Sequence, residues 1–115
     1  MTDVLSVLSE HHRRLAGSFV EIEEIPDPET GTPLRVYYDP PTQAQMAKVQ
    51  SRAKGRESDL VFYTVLLLAK DAEGKPMFED NAQTQLTLRE HVSGAILGKI
   101  GKAILGLTAE DDLGN

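Results

Sequence analysis

The sequence predicts a small α+β domain, mostly helical: an N-terminal helix, one β-hairpin and three to four further helices. Three observations carry this. The 115 residues amount to a single domain, 1–115, and 40% of them are apolar, enough for one core. Two segments alternate apolar and polar residues on either side of a proline-rich stretch, the pattern of paired strands. Two polar tetrads with capping-box spacing stand before segments of helical period.

The first helix is expected over residues 3–16. Leu5, Leu8, His12 and Leu15 fall on one helical face. Thr2 or Asp3 can cap its first N–H groups, and Arg13 and Arg14 sit in the last turn, where the helix dipole favours cations. Gly17 is a suitable stop.

Residues 19–25 then alternate, with Val20 and Ile22 opposite Glu21 and Glu23. Residues 34–39 do the same, with Leu34, Val36 and Tyr38 opposite Arg35, Tyr37 and Asp39. Three prolines and a glycine between Pro26 and Pro33 exclude helix and favour a turn-rich loop. Two strands alone are marginal in water, so one hairpin face must pack on helices.

Pro40-Pro41 ends the second strand because neither residue donates a ladder bond. Thr42-Gln43-Ala44-Gln45 has the capping-box spacing, opening a surface helix over 43–54 with Gly55 at its C-cap. Residues 60–69 are apolar all round except Thr64. Propensity favours a strand there; length and a cap at Ser58 or Asp59 favour a buried central helix. A turn follows at 71–76 with Gly74 at positive φ, then a short extended piece at Met77-Phe78. Asp80-Asn81-Ala82-Gln83 offers a second capping box before a helix to about Glu90. The last helix is expected over 93–105, and residues 108–115 form an acidic tail expected to fray.

Composition excludes several classes of function. Eighteen acidic residues against 12 basic ones leave a net charge of −6, the wrong sign for a general nucleic-acid binder or for docking on an anionic membrane. There is no Cys, hence no disulfide, thiolate ligand or thiol nucleophile. No basic, apolar leader opens the chain, and the longest apolar run is far short of the ~20 residues that span a bilayer. A soluble cytosolic protein is the expectation.

Chemistry-bearing constellations are scarce. Adjacent His11 and His12 point about 100° apart on a helix, so they do not chelate one metal as an i, i+4 pair does. His91, near a helix junction, suits a packing or capping role. Gly98-Lys99 and Gly101-Lys102 lack the spacing and the following Ser or Thr of a phosphate loop. Glu21 and Glu23 can lie side by side, but a glycosidase pair needs an aromatic-walled cleft, so a solvated hairpin face is the better reading. The residues name no catalytic, cofactor-binding or metal-ligating side chain.

The last helix is less bland. Gly94, Gly98 and Gly101 form one stripe and Ile96, Ile100 and Ile104 another, with Gly106 and Leu107 beyond. Each interior glycine costs about 1 kcal/mol relative to Ala. Two readings stay open: close helix–helix packing within the domain, or an apolar helix that docks on a partner through Ile96, Ile100, Ile104 and Leu107.

Three segments in this order and spacing resemble the tail assembly chaperones of long-tailed phages and prophages. They are Val36-Tyr37-Tyr38-Asp39-Pro40-Pro41-Thr42, Asp71-Ala72-Glu73-Gly74-Lys75-Pro76-Met77-Phe78, and the run from Ile96 to Ile104. The resemblance covers about residues 19–107. Asp39 and Gln45 depart from it, where a basic residue and an acid are common.

The resemblance implies a non-enzymatic role. Such a protein binds the long helical tape measure protein, keeps it soluble in the host bacterial cytoplasm and is absent from the mature virion. A longer frameshifted form would bring in the major tail tube protein; Leu97-Gly98-Lys99 can be encoded CTG-GGA-AAA, which contains a slippery heptamer. Association with further copies of itself is left open. The alternatives are a structural tail or connector subunit and a small soluble protein-interaction adaptor.

Overall fold

The computed structural model describes residues 3–107. The acidic tail expected at 108–115, and Thr2 as a cap, lie outside the described residues. The described chain runs α1 (Val4–Arg14), β1 (Ser18–Pro26), β2 (Pro33–Tyr38), α2 (Gln43–Ala53), α3 (Glu57–Leu68), α4 (Ala82–Glu90) and α5 (Gly94–Leu105). This is the α+β class expected from sequence, with one antiparallel hairpin and four helices after it.

The hairpin pairs Phe19 with Tyr37, Val20 with Val36, Glu21 with Arg35 and Ile22 with Leu34. Ile22 and Val36 are buried, and Val20, Leu34 and Tyr38 pack beside them, so the alternation correctly separates the two faces. The register then breaks. Pro26 pairs next with Pro33, leaving Glu23, Glu24 and Ile25 in an irregular stretch. In the loop, the Asp27 N–H donates to the Thr32 carbonyl (2.7 Å) and the Gly31 N–H to the Asp27 carbonyl (2.8 Å). The Asp27 carboxylate accepts the Glu29 N–H at 2.8 Å.

The far edge of β2 is covered as well. Tyr37 donates to the Lys70 carbonyl (2.9 Å) and accepts from the Lys70 N–H (2.7 Å); the Met77 N–H donates to the Ala69 carbonyl (2.9 Å). The turn at 71–76, with Gly74 at φ 81°, folds this segment back on itself. The extended contact expected at Met77-Phe78 falls instead on Pro76, which bridges to Lys70, while Met77 and Phe78 form a bend.

Segment 60–69 is helical through Leu68. Its Phe62, Val65, Leu66 and Leu68 are buried, as is Thr64, whose hydroxyl donates to the Leu60 carbonyl at 2.7 Å. The helix begins earlier than the expected cap. Arg56 is the N-cap and makes no side-chain cap bond. Ser58 and Asp59 lie inside the first turn, where Asp59 pairs with Arg56 (3.0 Å) and Arg89 (3.2 Å).

The Thr42–Gln45 capping box is present in both directions, at 2.9 and 3.2 Å. Lys54, one residue before the expected Gly55, is the C-cap, in the left-handed region at φ 52°. The second expected capping box, Asp80 to Gln83, does not form. Asn81, not Asp80, caps α4 by accepting the Thr84 N–H at 2.8 Å. Asp80 takes Arg52 in a two-pronged pair at 2.7 and 3.0 Å.

One core joins the hairpin to α2, α3 and α5 through Ile22, Val36, Val49, Val65, Leu68, Ile100 and Ile104. A smaller cluster of Phe62, Leu66 and Leu88 seats α4 on α3. Arg89 lies 3.8 Å from the centre of the Phe62 ring above it.

Candidate partner-binding surface

The stripe singled out in the last helix faces inward. Ile100 is 6% exposed and Ile104 1%, and Ile96 packs against the same core. Of the four residues considered for partner contact, Ile100 and Ile104 are buried, Ile96 is half-buried, and Leu107, 47% exposed, stands at the surface. With this packing, the docking reading of Ile96, Ile100 and Ile104 gives way to close packing within the domain. The glycines divide in the same way. A Cβ on Gly98 would meet nothing within 4 Å, whereas one on Gly101 would run into Val61 of α3. Gly101 alone in that stripe marks a close helix–helix approach.

The uncovered apolar face belongs to α1. Asp3 caps this helix through the Leu5 N–H (3.1 Å) and also accepts from the Ser6 hydroxyl (3.0 Å). Glu10 pairs with Arg13 and Arg14 on the polar side. The apolar side carries Val4, Leu5, Val7 and Leu8, with Leu15 just past the helix end. None is buried; Leu5 is 76% exposed and Leu8 61%. An isolated helix of this length is marginal in water, and burial of its apolar face is what ordinarily sustains it.

The sequence identifies this face, from Leu5, Leu8, His12 and Leu15, but not its exposure. His12 departs from the other three. Its Nε2 lies 2.7 Å from the Pro40 carbonyl oxygen, which ties the helix to the joint between β2 and α2. His11 is exposed on the helix surface, and His91 is the C-cap of α4, its N–H donating to the Thr87 carbonyl at 2.8 Å.

The acidic hairpin stretch is a set of local contacts. Glu21 pairs with Arg35 at 3.1 Å, and Arg35 in turn stacks 4.2 Å from the centre of the Phe19 ring. Glu24 meets Lys99 at 3.3 Å. Its carboxyl is held below the usual range by a backbone hydrogen bond first and by Lys99 second. Asp39 is lowered by Lys70 and then by the Gly17 N–H, and Asp80 by Arg52. Each displaced carboxylate thus faces a surface cation. Among the described residues, no group of three or more His, Asp or Glu side chains is placed to hold a metal ion, and no helix is long and apolar enough to cross a membrane.

These elements define a small α+β domain bearing an amphipathic helix whose apolar side is open. No family model, no curated protein and no solved structure matches the chain.

Proposed function

We propose that this protein works through protein–protein contacts as a phage tail assembly chaperone, binding the helical tape measure protein and keeping it soluble until tube subunits assemble around it. The observation that supports this reading is the open apolar face of α1. An apolar helix face with no cover among the described residues suits the helix-to-helix capture of an amphipathic client. The net charge of −6 favours solubility of a chaperone–client complex by mutual repulsion. The resemblance across residues 19–107 supplies the identity of the client, and the absence of a catalytic role follows from it.

The test is co-expression with the product of a neighbouring tape-measure-like gene, scored by the soluble fraction of that product. The parent chain should raise it, and Leu5→Asp/Leu8→Asp should lose the effect while remaining folded. The protein should be missing from purified particles; finding it there would favour a structural tail subunit. A gene neighbourhood without tail genes would sink the reading.

A further inference from the structure

Among the described residues, the hydrogen bonds that tie α1 and the turn after it to the rest of the chain converge on two adjacent residues. His12 Nε2 meets the Pro40 carbonyl oxygen at 2.7 Å, and the Gly17 N–H donates to Asp39 Oδ1 at 2.9 Å. The second Asp39 oxygen accepts from Lys70 Nζ at 2.7 Å. Lys70 is itself fixed to the sheet by its two backbone bonds to Tyr37. On one side of this node lies rigid structure: β2, the start of α2 and the segment after α3. On the other side lies a helix with no buried residue.

Between the two stands Gly17 at φ 80°, a conformation that glycine adopts without steric cost and that other residues rarely take. A Cβ there would meet nothing within 4 Å, so backbone freedom, and not tight packing, is what glycine supplies at this point.

We propose that α1 is a hinged arm. Asp39 and Pro40 form its latch, Gly17 is the pivot, and release of the latch lets the helix swing as a unit while the core stays intact. The physical basis is the contrast in what holds each helix. α3 and α5 are fixed by interdigitated apolar side chains, which must be exposed to water before they separate. α1 is fixed by a few polar bonds at a partly solvated node, where water replaces each lost partner. Such a joint opens by local motion without global unfolding. The latched arm presents Leu5 and Leu8 in one direction, and the released arm presents them in many. This proposal does not depend on what α1 binds.

The absence of cysteine makes the test direct. Spin labels at Ser9→Cys in α1 and Ser51→Cys in α2, both exposed positions, report the distance between arm and body by pulsed electron resonance. The latched protein should give one narrow distance distribution. His12→Ala/Asp39→Ala should broaden it or add a second population while the core keeps a single cooperative melting transition, lowered only by the loss of the Asp39–Lys70 pair. Asp39→Asn, which still accepts from the Gly17 N–H, should restore most of the narrow peak when His12 is kept.

Two results would overturn the proposal. A distribution in the double variant that superimposes on the parent's would mean that α1 is held by something other than this node. Loss of the cooperative transition would mean that the node is part of the core fold and not a latch.

Discussion

Gly101 of α5 lies directly against Val61 of α3: a Cβ built on Gly101 would come 2.7 Å from Val61 Cγ1. A valine within a helix is strongly confined to one χ1 rotamer, so its methyl group does not move aside cheaply. We therefore expect Gly101→Ala to destabilise the domain by about 1–3 kcal/mol, although Ala is otherwise the better helix residue. Gly98→Ala, in open space, should stabilise by roughly 0.5–1 kcal/mol. Urea unfolding of the two variants gives opposite shifts in midpoint, and adding Val61→Ala to Gly101→Ala should recover part of the loss.

Exposure separates α1 from α5 in the same kind of experiment. Leu5→Asp and Leu8→Asp should change global stability by no more than about 0.5 kcal/mol, the usual size for surface positions. Ile100→Asp and Ile104→Asp place a charge in the core and should abolish cooperative thermal melting. Equal losses from both pairs would show that α1 is covered in solution.

Asp39 sets a pH dependence whose sign is determined by its neighbours. Its carboxyl lies below the ordinary range because Lys70 and the Gly17 N–H favour the charged form. The unfolded chain, with Asp at about 3.9, binds the proton more readily as pH falls. The contribution is therefore complete above that value and is lost as pH drops through the lowered native one. Asp80 acts with the same sign through Arg52. Unfolding free energies measured from neutral pH down to about pH 3 should fall less steeply for Asp39→Asn than for the parent. An unchanged slope would contradict the role of Lys70.

Beside the apolar cluster that seats α4, Arg89 stacks on Phe62 at 3.8 Å and reaches Asp59 at 3.2 Å. Both contacts are partly solvated, so Arg89→Ala should cost about 1 kcal/mol. Lysine retains the charge but not the flat stacking surface, and Arg89→Lys should recover less than half of the loss. Amide exchange in α4, compared with that in α3, would show whether the loss is local to this helix.

Much of the fold was legible because it follows from local chemistry. The Thr42–Gln45 capping box depends on residues three apart. The inward set of the hairpin, Val20, Ile22, Leu34 and Val36, depends on a period of two. The helix over 60–69 was legible through length more than propensity. The misplacements were local contests decided at a distance. Asp80 has the spacing of a cap but is drawn off by Arg52, and Asp59 by Arg56 and Arg89, so α4 is capped one residue later and α3 begins at a residue with no cap bond. The alternation read through residue 25 holds in the pairing only to Ile22; past the register break, Glu24 meets Lys99 of α5, a contact no local period announces.

By itself, the sequence determined the composition of each amphipathic face: Leu5, Leu8 and Leu15 on α1, and Ile96, Ile100 and Ile104 on α5. Only the tertiary structure decided which face is covered. Amphipathicity states that a face gains by leaving water, not where it will find cover. The hairpin and α3 offer one apolar surface, and α5 fills it, helped by the close approach that Gly101 permits. Among the described residues nothing comparable remains for α1, which is left with the polar node at Asp39 and Pro40 and with its leucines exposed.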